Sequence, residues 1–145
     1  MTGGAGFLLA VLWFDLMFDV QVLRHRDAEL PEEVLASIGA YYRRVTTAAR
    51  PMNRLIALVM VATLVAIVVQ LARDDAPLWV SIASLVLAGS AILLAAAHTV
   101  PSAVRLGGRE DRADVQSRVA RAIFRDHVLC ALAMAALLTT QLAWA

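Results

Sequence analysis

An all-α integral membrane four-helix bundle, with four transmembrane spans and one interfacial amphipathic helix, is the fold that three features of this sequence predict. Its side chains are 61% apolar and its mean hydropathy is +0.72, well above an ordinary soluble domain. Four apolar stretches, about 7–23, 52–71, 78–100 and 126–145, are each long enough to cross a hydrocarbon core of about 30 Å with help from polar flanks. Between the first two, Val34, Leu35, Ile38, Tyr41, Tyr42 and Val45 recur at three- and four-residue spacing, opposite Glu33, Ser37, Arg43 and Arg44. That period defines an amphipathic helix over about 31–48, lying at the interface with its tyrosines at headgroup level. The chain reads as a single transmembrane domain over 1–145.

The first span ends in the charged stretch Arg24 to Glu29, and it lacks a basic n-region and a small-residue cleavage site, so it is expected to stay in the mature protein. Pro31-Glu32-Glu33 suits a helix first turn, with acids against the positive end of the dipole. Arg50-Pro51 is expected to break or kink the chain before the second span. Arg73-Asp74-Asp75-Ala76-Pro77 is short enough to be only a turn between antiparallel spans. In the third span, Pro101 removes a backbone donor just after His98 and is expected to kink or end the helix. Gly107-Gly108-Arg109-Glu110-Asp111 reads as a loop. From Asp114 onward one long helix is expected, its first half basic through Arg118, Arg121 and Arg125, its second half the fourth span.

Net charge is +1, which gives no reason to expect nucleic acid as a partner. Cys130 is the one cysteine, so an intrachain disulfide and a thiolate cluster are both excluded. Every one of the 13 basic side chains is arginine. They concentrate in the loops after spans one and three, so the positive-inside rule puts both large loops in the cytoplasm and both termini outside, in what is expected to be a bacterial inner membrane.

Polar residues collect towards that cytoplasmic side. Asp15, Asp19, Gln21, Arg50, Asn53, Arg54, His98, Ser102, Arg105, Arg121, Arg125, Asp126 and His127 all fall there or near mid-depth, whereas the outer half is almost purely Ala, Leu, Val and Ile. A polar pocket facing the cytoplasmic leaflet follows. Asp15 and Asp19 are its costliest members, because a carboxylate at the bilayer centre costs about 2.5 to 3.5 kcal/mol on insertion scales. They sit four residues apart, about 6 Å along one helix face. A proton on one, an arginine from another helix such as Arg54, Arg121 or Arg125, or a bound cation would each relieve them. His98 has the ordinary pKa of a general base or a metal ligand, or else bonds a carbonyl freed by Pro101. His127, Cys130 and Met134 share one face and are soft-metal ligand types, although such residues more often simply pack. Cofactors are not otherwise implied, a metal ion being the one option that these residues raise.

His98-Thr99-Val100-Pro101-Ser102-Ala103-Val104-Arg105-Leu106, followed by Phe124-Arg125-Asp126-His127-Val128, resembles the anthrone-oxygenase-like family of small membrane proteins. The resemblance implies four spans and the oxidation of a phenolic, polyketide-like molecule by oxygen. In that expectation Asp15 or Asp19 with His98 removes a phenolic proton, and Arg125 or Arg105 stabilises the anion, within a binding site that includes Asn53, Arg54, Arg121 and His127. Two other readings stand beside it. One is a proton- or cation-coupled transporter or channel subunit, a homo-oligomer packed through the small residues of Ala83 to Ala97. The other is a non-catalytic membrane protein that holds a partner or anionic lipid.

Overall fold

The computed structural model describes residues 1–48 and 50–144, apart from the side chain of Arg50. Among the described residues the chain forms helices and no strands: α1 Thr2–Asp19, α2 Glu32–Arg43, α3 Arg50–Ala72, α4 Leu78–Leu94, α5 Val100–Gly108 and α6 Ala113–Trp144. Four continuous helical stretches, Thr2–Arg24, Pro51–Ala72, Leu78–Gly108 and Ala113–Trp144, are long and apolar enough to cross a membrane. The protein is an integral membrane bundle of four helices.

Around the bundle, α1 packs on α6 and α3, and α4 packs on α6 and α3, so the order is α1, α6, α4, α3. Small residues let these helices approach. Ala5, Ala88 and Ala91 are buried with Leu8, Ile67, Cys130, Met134 and Leu137 in one core, as expected where packing rather than water drives association. The face of α4 that carries Ser81, Ser84 and Ala88 is thus used inside the chain's own bundle, where all three are fully buried.

A second core lies at the other end. There Leu35 and Ile38 of α2 are fully buried with Val22, Leu30, Val34, Tyr42, Ala103, Leu106, Ala120 and Ile123. The apolar stripe of α2 is therefore closed against α5 and the polar half of α6. The helix is also shorter than its apolar period suggested, because Arg44–Ala48 wind into a π-helical turn. Before it, the connection from α1 is tied to α6: Ser117 Oγ accepts from Leu30 N at 2.9 Å, and Arg121 donates to the carbonyls of Asp27 at 2.5 Å and Ala28 at 2.9 Å.

Two local expectations are corrected, at Pro101 and at the glycine pair. Pro51 lies in the first turn of α3, where a missing N–H is harmless, and does not end a helix there. Pro101 does not end the third span either. Ala95–Thr99 form a π-helical turn and α5 continues to Gly108 with Pro101 in its first turn, so the widened turn absorbs the missing donor. The glycine pair is helical rather than loop, and the chain turns instead at Arg109, which takes the left-handed conformation at φ 56°. Gly107 is needed for contact: a Cβ there would lie 2.8 Å from Arg43 N.

The outer half is less uniformly apolar than expected. Gln141 Nε2 donates to Ser84 Oγ at 2.7 Å and to Gln70 Oε1 at 3.1 Å, so the ends of α3 and α6 are clamped to the start of α4.

Candidate functional site

Asp15 and Asp19 lie one turn apart on α1, and α2 crosses above them. Its adjacent tyrosines divide the two acids. Tyr41 OH donates to Asp15 Oδ1 at 2.6 Å, and Tyr42 OH donates to Asp19 Oδ1 at 2.5 Å. Tyr41 also stacks on Phe18, with ring centroids 4.0 Å apart. From α6, His127 Nδ1 lies 2.6 Å from Asp19 Oδ2, and its Nε2 is 3.8 Å from Asp15 Oδ2. Asp19, fully buried, is thus satisfied on both oxygens, as a buried carboxylate must be. Burial, then the negative charges of Asp15 and Asp19, holds both phenols well above their ordinary range, so they remain donors.

The cluster is the polar floor of a cavity of about 490 Å³. Its walls are apolar, with Leu8, Val11 and Leu12 from α1, Met52, Ile56 and Met60 from α3, Ala91 and Ile92 from α4, and Cys130 and Met134 from α6. The middle of α3 meets α1 closely, where a Cβ on Gly4 would strike Thr63, and the N-terminal half of α3 lines the cavity through Met52, Asn53, Ile56, Ala57 and Met60. Phe14, Met52, Val100 and Val104 line the cavity and are each about half exposed, so it communicates sideways with whatever surrounds the bundle.

The other expected site residues are placed differently. His98 does not join the two acids. Its Nδ1 sits 2.5 Å from Asp126 Oδ2, which also accepts from Thr99 Oγ1 at 3.0 Å, on a separate face of α6. The histidine that reaches Asp15 and Asp19 is His127, expected among the binding residues rather than beside the acids. None of the described arginines pairs with them. Arg105 forms a bidentate bridge to Asp111, at 2.6 and 2.9 Å, and that hydrogen bond holds the Asp111 carboxyl below its ordinary range. Arg121 is folded onto loop carbonyls, Arg118 pairs with Asp114, and Arg54 and Arg125 are exposed. The side chain of Arg50 lies outside the described residues. Asn53 lines the cavity, but its Nδ2 donates to Thr46 O at 2.9 Å. Cys130 Sγ donates to Ala91 O, and among the described residues no group of three His, Cys, Asp or Glu side chains is arranged to hold a metal ion. Of that shared face, Cys130 and Met134 pack in the core with Ala91, while His127 turns to Asp19.

Tyr41 and Tyr42 are the site residues that sequence reasoning missed. The available signal was the pair of adjacent phenols on a helix that had to fold back over two unpartnered acids.

Fold and site together define a class: a small four-span membrane protein that keeps an apolar cavity with a polar floor open to one side. Residues 2–143 match the SHR3 chaperone family, described as ER membrane protein SH3, and the chain belongs to that family. No curated protein and no solved structure matches it. The family match overturns the resemblance to anthrone-oxygenase-like proteins. The valine–proline motif on which that resemblance rested is the exit from a π-helical turn, a backbone device with no tie to one chemistry. Nor does a bacterial inner membrane find support in a family described by the ER membrane.

Proposed function

We propose that this chain is a non-catalytic membrane chaperone, which holds a transmembrane segment of a client protein in the cavity between α1, α3 and α5. The observation that carries the reading is the sideways-open apolar cavity of about 490 Å³, in a chain whose family is named for chaperones. Its walls offer a lipid-like surface to an aliphatic face, and its floor offers hydrogen-bond partners that lipid lacks. Exposed apolar side chains on α1 and α3, among them Trp13, Met17, Leu58, Val61 and Val65, extend the surface that a client helix could cover. The oxidation reading loses both of its supports, since the resemblance is gone and His98 stands apart from the acids.

In this reading the arginine-rich connections, with α2 between them, face the cytoplasm and the 73–77 turn faces the opposite side. The interfacial helix then roofs the site from the cytoplasmic edge.

The test is cell-free synthesis of a polytopic membrane protein into liposomes, with and without this chain. The expected result is a smaller aggregated fraction when the chain is present, and loss of that benefit when Ala57→Trp or Ala95→Trp fills the cavity. Photocrosslinkers at Val100 should capture spans of the nascent protein, whereas those at Leu132, on the lipid face of α6, should not. Equal aggregation with and without the chain would remove the proposal.

A further inference from the structure

The polar floor is incomplete, and what it lacks is specific. Asp19 uses both carboxylate oxygens within the protein, on Tyr42 and His127. Asp15 uses only Oδ1, on Tyr41. Its Oδ2 and His127 Nε2 receive no hydrogen bond among the described residues, and their 3.8 Å separation is too long for them to satisfy each other. Both residues line the cavity, and the His127 side chain is only 9% exposed. With Nδ1–H directed at Asp19, a neutral His127 turns a lone pair towards the cavity beside a carboxylate oxygen: two acceptors converging on one point.

Charge leads to the same place. Two carboxylates face at most one imidazolium, and among the described residues no arginine lines the cavity. Arg105 and Arg118 are committed to Asp111 and Asp114, and Arg121 to loop carbonyls. Above the floor, Leu8, Val11, Ile56, Met60 and Ile92 form walls suited to an aliphatic body.

We infer that Asp15 Oδ2 and His127 Nε2 form a binding site for a positively charged, multiply donating group on an apolar body, supplied by a lysine or arginine within a client's transmembrane segment. This rests on the chaperone reading and specifies it. A lone basic side chain is among the costliest features that a span can carry before its own partner helices assemble, and a carboxylate at comparable depth, reached from the side, shields it. An apolar span would fill the same walls and leave the two acceptors unmet.

The experiment compares leucine–alanine transmembrane peptides, identical except for one central Lys, Leu or Glu, binding to the full chain in nanodiscs by energy transfer. The Lys peptide is expected to bind about tenfold or more tightly than the Leu peptide, and the Glu peptide weakest. The advantage of Lys over Leu should vanish in Asp15→Asn and persist in Arg125→Gln. The comparison of peptides on the unmodified chain needs no variant, so a misfolded Asp15→Asn does not disable it. Equal binding of Lys and Leu peptides would overturn the cation site, meaning that a proton on Asp15 already balances the cluster, while leaving the chaperone reading intact. Binding of no peptide would overturn both. Decylamine bound with the same dependence on Asp15, without peptide binding, would overturn the client assignment in favour of a small-amine site.

Discussion

Asp15 and Asp19 look equivalent in the sequence and are not equivalent in the fold. Asp19 is a fully buried carboxylate that accepts from Tyr42 and His127. Replacing it with Asn presents an amide donor to one of two donors, so Asp19→Asn should destabilise the bundle by about 3 to 5 kcal/mol, the usual cost of breaking a buried pair. Detergent-solubilised thermal unfolding would register that loss. Asp15→Asn keeps an amide oxygen for Tyr41, so it should leave the unfolding midpoint nearly unchanged while abolishing the preference for the Lys peptide over the Leu peptide. If both variants unfold alike, the cluster serves stability alone. The sequence singled out both acids by the expense of an intramembrane charge, but not their partners. Which side chains meet depends on how α2 folds back, and that fold-back depends on Ser117 and Arg121 gripping a loop some ninety residues upstream. Contacts at that separation have no periodic signature.

At the scale of the elements, α2 and α5 meet backbone to backbone at Gly107. A Cβ on Gly107 would lie 2.8 Å from Arg43 N and 3.0 Å from its Cα, both backbone atoms that cannot swing aside. Gly107→Ala should therefore force α2 away from α5, at a cost of about 1 to 3 kcal/mol, and should loosen the roof over the acids. Hydrogen exchange along α2 would report the change, and unchanged protection there would refute it. Gly39 offers the contrast, because the atoms that its Cβ would meet first belong to the flexible Arg109 side chain. The four spans and the amphipathic helix were legible from apolar length and period. The role of Gly107-Gly108 was not, since paired glycines signal a turn as readily as a close crossing. Likewise Pro101 announces a lost donor without saying whether the helix stops or, as here, widens by one residue at Ala95–Thr99.

For the whole molecule, two packed cores sit at opposite ends, aliphatic packing with the Gln70–Gln141–Ser84 clamp at one and the α2 roof at the other. Orientation can be checked directly. Cys130 is the one cysteine and is buried, so single cysteines introduced at Glu110 and Asp75 can be labelled against little background. A membrane-impermeant maleimide is expected to reach position 110 only from the cytoplasmic side and position 75 only from the other, and the reverse pattern would invert the proposed topology. The asymmetry that suggested a polar pocket was visible in the chain. Its sideways opening was not, because it arises from how α1, α3 and α5 come together rather than from any residue type. That opening also sets the terms of exchange. A hydrocarbon phase leaves no gap of this size vacant, so on the proposed reading an acyl chain occupies the space beside α3 between clients. Capture on that reading is a competition between protein and lipid, and its strength should follow the unsaturation and length of the surrounding fatty acids as much as the sequence of the client.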